Sequence, residues 1–432
     1  MNRSAYKYNI SISHILDNQT TNINPNQVKY IMIESNYENI YMPVIYVSLA
    51  VNSDLYNKIV NNENSGKIFL QINKYNAYSQ NKLYRNYIKG LFSYISSTSN
   101  INYVEDLSSS GDTDSTYTGI TLALMSMDIL NLEKQSFNGI YQNVDQGTLI
   151  MNAFAGIKSV IRAPKYNPKY EKVMIPPISS IHKYLYHLCD LCPFYDTNYL
   201  FFMDFNKAYL LDWTGDYCRD DEEQKGTVYI NLASVLDEKS YYDGMEERDD
   251  GYYIYINPSY SNIYENRQTD KIANQLVFVG DDGGVQKADL NVNSSTDSTV
   301  KQTFIKKNNE FVRLYANIAN SSTTDIEVMK ENIDSSVITP NKQFIIKNDK
   351  DHSLDGKYTI RSKKELIKNV SGVFNNSVDL KFRKVGKIEP IGEDVEAKAQ
   401  YKASPSLYRK KNTTTNNGNM ILTNSGTYIS RD

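Results

Sequence analysis

Apolar and polar residues alternate along the first part of the 432-residue chain, and this two-residue period is typical of strands with one buried face. The alternation covers Tyr6 to Ile12, Tyr30 to Ile33 and Val44 to Val47. The stretch Ser108 to Ser115 has no apolar side chain to bury, so it is predicted to be an exposed loop. These signals predict a first β domain over residues 1–135.

Apolar residues then recur every three or four positions, which is typical of amphipathic helices. One such helix is predicted over Gly147 to Val160. A second is predicted to begin at Pro176-Pro177 and to carry an apolar stripe from Ile178 to Cys192, before Pro193 ends it. With the strand pair that follows, this pattern predicts an α+β middle domain over residues 136–224.

Aromatic residues are concentrated in the next predicted strand pair, Tyr199 to Met203 and Ala208 to Leu211, which flank a tight turn at Asp204 to Lys207. Five of them form the candidate assembly site: Phe201, Phe202, Phe205, Tyr209 and Trp213. Such a hairpin either fills the core of the middle domain or forms a subunit interface. The sequence leaves both interpretations open.

Strand signals return at Thr227 and continue to Phe382, separated by turn-forming pairs such as Asp355-Gly356. They predict a second β domain over residues 225–388. Because the two β-rich blocks flank the α+β segment, the chain is expected to hold more than one core.

The last residues, 389–432, are polar and rich in asparagine and threonine. Too few apolar side chains are present to offset the entropy of ordering, so we expect a flexible C-terminal arm that a partner orders. Two short apolar anchors lie within it, Met420-Ile421-Leu422 and Tyr428-Ile429.

The composition agrees with a mainly β fold, because 36 tyrosines and abundant asparagine and serine favour sheet surfaces and turns over long helices. A formal net charge of −3 argues against a protein that grips nucleic acid through phosphate contacts. No run of about 18 apolar residues is present, so we expect no membrane segment. The polar start Met1-Asn2-Arg3-Ser4 has no apolar signal-peptide core, and we expect the chain to stay in the cytosol or to be released by lysis.

The candidate metal ligands are Cys189, Cys192, His187 and Cys218, with His182 close by in sequence. Thiolate and imidazole are good zinc ligands, but His182 and His187 are five residues apart and would point to different faces of one helix. Three cysteines are also too few for a disulfide framework in a chain of this length. We therefore expect reduced, structural cysteines, no metal and no cofactor, with a zinc site as the alternative.

Candidate catalytic groups are limited to acidic runs, Asp220 to Glu223 and Glu246 to Asp250. Consecutive carboxylates in polar stretches are usually solvated. Gly111 to Asp114 and Asp281 to Gly284 have no spaced series of calcium ligands, so turns suffice to explain them. Phosphate-binding, dinucleotide-binding, nucleophile-elbow and zinc-protease motifs are missing from the sequence. We expect a protein that is not an enzyme.

Three segments resemble baseplate hub proteins of tailed phages and of related contractile injection machines. The first runs from Ile175-Pro176-Pro177 through Cys192 to Thr197 and the aromatic strand pair that ends at Leu211. The second, Asp351 to Ile360, is similar to the "leucine, x, glycine, x, tyrosine" strand of tail hub barrels. The third, Tyr41 to Tyr46, is similar to the opening of their first barrel.

The resemblance implies that both β domains are tube-like β-barrels and that copies of the chain, usually three, form a ring. It implies a structural role in which this ring joins the tail tube to the central spike or tip and lets DNA pass without specific contacts. The implied partners are further copies of the chain in a homotrimer, the tail tube protein, the spike or tip, and the tape measure protein. The implied location is the virion tail, assembled in the host cytoplasm.

Two alternatives stay open. A tail adaptor, distal tail or tube protein shares such barrels but usually has no second one. A glycan-binding or glycan-cleaving β protein of the virion would use its tyrosines to stack on sugar rings. The simpler explanation is structural: the tyrosines lie on sheet surfaces and in subunit interfaces.

Overall fold

The segments with alternating apolar and polar residues form strands of one sixteen-stranded sheet, which contributes to two separate hydrophobic cores. The computed structural model describes residues 2–37, 42–62, 66–77, 84–100, 117–154, 159–162, 169–191, 199–205, 207–212, 226–233, 244–266, 273–279, 285–289, 299–306, 323–386, 420–422 and 428–430. Strands dominate these ranges, which confirms the predicted fold class, mainly β with an α+β middle segment. The predicted loop at Ser108 to Ser115 lies outside them.

The N-terminal strands are β1 (Asn2–Ser4), β2 (Tyr6–Leu16), β3 (Gln19–Ile23), β4 (Val28–Asn36), β5 (Val44–Asn52), β6 (Lys67–Asn76), β7 (Arg85–Asn100) and β8 (Tyr117–Ser126). Two short helices interrupt and follow them, α1 (Ser53–Val60) and α2 (Met127–Glu133). Asn52 caps α1 by accepting a hydrogen bond from the Leu55 amide at 2.9 Å. The spacing of Leu55 and Ile59 then directs both side chains into the core below.

The middle of the chain forms β9 (Phe137–Asp145), α3 (Gln146–Ala153), β10 (Ser159–Arg162), β11 (Lys169–Ile178), α4 (Ile181–Leu191), β12 (Tyr199–Asp204) and β13 (Lys207–Asp212). The later strands are β14 (Thr227–Leu232), β15 (Met245–Arg248), β16 (Gly251–Ile256), β17 (Ser261–Asn266), β18 (Ala273–Val279), β19 (Val285–Asp289), β20 (Thr299–Lys306), β21 (Thr323–Glu331), β22 (Gln343–Asn348), β23 (Gly356–Val370), β24 (Val373–Gly386), β25 (Met420–Leu422) and β26 (Tyr428–Ser430).

Eight of the strands close into a barrel. Each strand is paired antiparallel with the next in the order β23-β4-β5-β8-β7-β6-β2-β24, and β24 returns to pair with β23. The inward side chains fill what we call the first-barrel core, which includes Ile12, Leu70 and Leu122. An eight-stranded barrel is just wide enough for side chains to fill its interior.

The same sheet continues on the other side of β23 and β24. There the order is β15-β16-β14-β22-β23-β24-β21-β17, with β14 parallel to both β16 and β22. Its inward side chains form the second-sheet core, which includes Ile254, Phe344 and Phe382. The sheet therefore contributes to two cores, and the strands β23 and β24 belong to both.

The shared element is the long hairpin of β23 and β24. Ile360 and Phe382 lie in the second-sheet core, whereas Ile367 and Phe374 lie in the first-barrel core. A register shift between Ile360 and Ser362 marks the passage from one core to the other. Ser371 and Gly372 form the two-residue hairpin turn, and their positive φ angles of 52° and 83° suit the twist of the flanking strands. The division of the chain near residues 135, 224 and 388 stays a prediction.

Two helix predictions in the middle segment need correction. The helix predicted over Gly147 to Val160 ends at Ala153, and Val160 lies in β10. The Pro176-Pro177 pair lies at the end of β11, not in the first turn of a helix, and α4 begins only at Ile181. Proline has no amide hydrogen to donate, and the ladder between β11 and β9 accordingly shifts register between Ile175 and Ile178. The end of β11 therefore accommodates a proline pair that the sequence analysis assigned to the start of a helix.

The two apolar anchors of the C-terminal arm are strands β25 and β26. They pair with each other, and β26 pairs with β10, so that a five-stranded sheet has the order β12-β13-β10-β26-β25. The dependence of residues 389–432 on a partner stays a prediction, because most of that segment lies outside the described ranges. Within the described part of the chain, no helix is both long and apolar enough to cross a bilayer.

Candidate functional site

The aromatic hairpin of β12 and β13 contacts the three hydrophobic cores that the described residues form. Its strands and turn are placed as the sequence predicts, with Phe202 opposite Tyr209. Phe202 and Tyr209 are 1% and 2% exposed and lie in the second-sheet core. Phe201 packs against the middle core, formed by α2, α3, α4 and β11, and Phe205 packs against the first-barrel core. Trp213 lies outside the described residues.

Strand periodicity explains how one hairpin meets several cores. Successive side chains of a strand point to opposite faces, so Phe202 enters the second-sheet core while Phe201 and Met203 face the middle core. Both faces of this hairpin are covered, and the sequence of strands that are buried on both faces is almost continuously apolar. The aromatic cluster in the sequence is the signal for that double burial.

Aromatic ring contacts fix the hairpin in each direction. Phe202 meets Tyr37 edge to face with ring centroids 4.3 Å apart. Phe201 stacks on Phe154 at 4.8 Å, and the turn residue Phe205 meets Phe92 of the first barrel at 6.1 Å. These separations lie in the range in which aromatic pairs attract each other beyond area burial.

A buried polar cluster lies where the two β cores meet, and its centre is the fully buried carboxylate of Glu365. Four donors reach this carboxylate: Tyr8 Oη at 2.8 Å, Tyr87 Oη at 2.7 Å, Ser335 Oγ at 2.6 Å and Asn376 Nδ2 at 2.7 Å. Burial, followed by the charge of Glu365, raises the pKa of both tyrosines, so their hydroxyls remain donors. The donors come from β2, β7, β24 and the turn before β22.

Two buried lysines complete this cluster. Lys74 Nζ lies 2.6 Å from both carboxylate oxygens of Asp334 and also hydrogen-bonds Ser336. Lys363 Nζ donates to the carbonyl oxygens of Ser335 and Ile338 at 3.0 Å. Burial lowers the pKa of Lys363, and nearby carboxylates oppose that shift. Buried charges need partners of this kind, because an unpaired charge in a core is strongly destabilising.

Sequence reasoning missed this cluster, which we call the junction cluster (Tyr8, Lys74, Tyr87, Asp334, Ser335, Ser336, Lys363, Glu365 and Asn376). A weak signal exists in β23, where Lys363 and Glu365 occupy alternate positions between apolar residues that face inward. Charged residues in a strand are usually assigned to the solvent face. Their partners are also too distant in sequence to be paired with them by inspection.

Within the described residues, the candidate metal ligands do not converge on one site. His182 and His187 lie on α4, where burial lowers the pKa of His182 and the Nε2 atom of His187 is buried without a hydrogen-bond partner. Cys192 and Cys218, together with the side chain of Cys189, lie outside the description. Among described side chains, no group of three or more histidine, cysteine, aspartate or glutamate residues is arranged to hold a metal ion. The expectation of metal-free cysteines stays a prediction.

One of the two candidate catalytic runs can be placed. Glu246 is buried in β15 and pairs with Arg248 at 2.8 Å, whose guanidinium also stacks 4.0 Å from the Tyr253 ring centroid. This carboxylate is thus engaged in an ion pair, and Asp249 and Asp250 are exposed in the following turn. Asp220 to Glu223 and both calcium-like segments lie outside the described residues. The expectation of a non-enzymatic protein stays a prediction.

An outer groove of about 500 Å³ crosses the shared hairpin. Lys364 lies opposite both Glu34 and Asp379 in neighbouring strands, and Lys381 donates to Glu327 at 2.9 Å. Exposed pairs of this kind contribute little energy. The opposite charges pair across neighbouring strands and do not converge on one point. We therefore interpret the groove as a solvent-exposed row of ion pairs and not as a binding site.

His14 gives the first barrel a predicted sensitivity to acid. Its ring is 1% exposed, its Nε2 atom has no hydrogen-bond partner, and it stacks on Tyr94 at 6.4 Å. Burial lowers the pKa of His14, and the charge of Lys58 lowers it further. The unfolded chain takes up this proton near pH ~6.5, so the stabilisation is complete above that pH and is lost as the pH falls toward the lowered pKa.

We therefore expect His14→Phe to weaken the loss of stability between pH 7 and pH 5, measured as urea midpoints across the range. His182 titrates in the same direction, so the variant removes only part of the dependence. His352→Gln, which replaces a histidine whose side chain is 80% exposed and lies 3.1 Å from Asp355, serves as the comparison variant. An unchanged profile in the His14 variant would contradict this account.

The model of one protein family, described as bacteriophage PBS1 gene 109 protein, matches residues 4–385 of the chain. No curated protein matches the sequence. Among solved structures, a tail protein from Neisseria meningitidis MC58 is similar at 11% identity and a TM-score of 0.49, covering 87% of this chain and 96% of that one.

Two further solved structures are similar. The 43 kDa tail protein of prophage MuSo2 from Shewanella oneidensis has 11% identity and a TM-score of 0.45, with coverage of 87% and 98%. The Francisella PdpA-VgrG complex, in a half-lidded state, has 12% identity and a TM-score of 0.48, covering 90% of this chain and 60% of that one. At such low identities the likeness says nothing about function.

Proposed function

Because the chain belongs to the family of the bacteriophage PBS1 gene 109 protein, we propose that it is a structural subunit of a phage tail baseplate hub. Its copies form a ring that joins the tail tube to the central spike or tip. Family membership makes the chain a phage protein, and this agrees with the resemblance seen in its sequence. The tail, the hub and the ring are our proposal.

The observation that carries the proposal is the hairpin of β23 and β24, which belongs to two β cores in one subunit. A ring subunit that presents two barrel-like surfaces needs them held in a fixed relation. Here the two cores are joined by continuous strands, by the junction cluster and by the aromatic hairpin. Three separate connections of this kind suit a scaffold that transmits force without bending.

The proposed partners follow from that role. Further copies of the chain form the ring, the tail tube protein lies on one side, and the spike or tip lies on the other, with the tape measure protein inside. DNA passes through without specific contacts, and a chain with a net charge of −3 has little tendency to hold phosphates. The particle assembles in the host cytoplasm and the protein remains in the virion tail.

Light scattering of the purified full-length protein tests this proposal. We expect a molar mass three times that of the chain and a ring in negatively stained micrographs. A larger ring would favour a tail adaptor or tube protein. A monomer at all concentrations, or a monomer that binds or cleaves cell-wall polysaccharide, would contradict the hub.

A further inference from the structure

The strands β25 and β26 cover an edge of β10 that no other strand of the described residues pairs with. β26 runs antiparallel to β10, with Ser159 opposite Ile429 and Val160 opposite Tyr428. On its other side β10 runs parallel to β13. Without β26, the free edge of β10 would present backbone donors and acceptors, and such an edge is a template for another strand.

The connection to this hairpin is long. β24 ends at Gly386 and β25 begins at Met420, so residues 387–419 lie between them. A segment of this length spans at most about 120 Å when fully extended. A compact chain of this size has a radius of gyration of about 22 Å. The connecting segment is therefore long enough for the hairpin to reach β10 of an adjacent copy as well as β10 of its own chain.

We propose that in the assembled ring the β25–β26 hairpin seats on β10 of the neighbouring subunit and links the two. The inference rests on the proposed function, since it requires copies held side by side. Exchange of an identical element between copies makes the same contacts as seating within one chain, so it is a low-cost route to linkage. The occupant of the β10 edge is thus a segment of a second copy of this chain.

Two features of the ladder favour this role. The pairing of β26 with β10 has only two register pairs, so few hydrogen bonds have to break when the hairpin leaves β10 of its own chain for that of a neighbour. β10 also pairs in parallel with β13, whose aromatic hairpin contacts the three cores of the described residues. A hairpin seated on β10 therefore connects one subunit to the rigid centre of the next.

Cysteine pairing between copies tests the exchange. Register partners in an antiparallel ladder have Cα atoms about 4.5–5.5 Å apart, within the range that a disulfide bridges. One full-length chain would carry Val160→Cys and a second, with a larger tag, Tyr428→Cys, both with the three native cysteines changed to serine. The two are co-expressed, oxidised mildly and separated on a non-reducing gel.

We expect a covalent link between the two differently tagged chains, which only exchange can produce. The out-of-register control replaces Tyr428→Cys by Met420→Cys, because Met420 lies in β25 and pairs with Ser430. A chain carrying both Val160→Cys and Tyr428→Cys adds a second measurement. It should form covalent multimers, whereas seating within one chain leaves every chain separate.

The outcomes separate this inference from the proposed function. If light scattering gives a multimer but the disulfide forms only within chains, or does not form at all, the exchange is wrong and the hub proposal stands. If the protein is a monomer, both fail.

The three cysteine-to-serine changes could themselves prevent folding, so a further variant keeps the native cysteines. Ile429→Pro removes a backbone donor from β26. We expect it to raise the concentration at which the ring dissociates by about tenfold, because the hairpin links neighbouring subunits. Unchanged dissociation of the folded variant would place the hairpin on its own chain and overturn the exchange.

Discussion

Replacing Glu365 by alanine is expected to lower the free energy of unfolding by about 3–5 kcal/mol. The substitution removes the acceptor of four hydrogen bonds between 2.6 and 2.8 Å and leaves their donors buried. It also leaves Lys363 with one carboxylate fewer to balance its buried charge. The shift would be measured by urea unfolding, followed by circular dichroism and by tyrosine fluorescence.

Two matched variants sharpen this measurement. Glu365→Gln keeps the shape and one acceptor oxygen, and a hydroxyl that now faces its amide nitrogen can rotate to accept a hydrogen bond from it, so we expect a loss of about 1–3 kcal/mol. Lys364→Ala changes the adjacent, exposed residue on the opposite face of β23 and is expected to stay within about 0.5 kcal/mol of the native chain. A loss for Glu365→Ala no larger than that of Lys364→Ala would show that the carboxylate is solvated.

The same cluster explains why the two β blocks are expected to unfold together. Its members come from β2, β6 and β7 of the first barrel and from the Asp334 to Ser336 turn that leads into the second sheet. β23 and β24 carry residues of both cores. Local opening of one core therefore disturbs strands and hydrogen bonds of the other, which favours one cooperative unit.

The sequence predicted the local parts of this fold well. Alternation in Tyr6 to Ile12 is realised in β2, where Tyr8, Ile10 and Ile12 are buried. The strand pair of β12 and β13 also lies where the pattern and the turn residues indicate. In each case the signal is contained in fewer than about a dozen consecutive residues, which is the range over which periodicity can be recognised.

The parts that sequence reading missed depend on pairing between distant segments. β23 pairs with β4, so that Ser362 lies opposite Asn36, and nothing near either residue encodes that match. The two β blocks consequently read as separate domains, although they share a hairpin. The inward orientation of Glu365 likewise depends on partners as far away as Tyr8 and Tyr87. The helix start predicted at Pro176-Pro177 is wrong, because this segment pairs with β9 as a strand in spite of its local propensity.

The largest single loss in the aromatic hairpin is expected for Phe202→Ala, at about 3–5 kcal/mol. The side chain is 1% exposed and meets Tyr37 at 4.3 Å, so its removal leaves a cavity in the second-sheet core. Phe205→Ala is the matched comparison in the same hairpin. Phe205 is half-buried against the first-barrel core, and its loss is expected to be about 1–2 kcal/mol. Urea unfolding of both variants, at protein concentrations below those at which the proposed ring forms, measures these losses.

Comparing these variants separates a core role from an interface role for the hairpin. If the hairpin only fills cores, ring formation by the folded fraction is unchanged in both variants, and stability falls more for Phe202→Ala. If Phe205 also meets a neighbouring subunit, Phe205→Ala weakens the ring by more than its small loss of subunit stability explains. Because Phe202 is fully covered within one chain, it cannot touch a partner, and a ring defect in a folded Phe202→Ala subunit would have to arise from movement of the hairpin. Native stability in the Phe202→Ala variant would contradict its burial, and with it the placement of this hairpin between the cores.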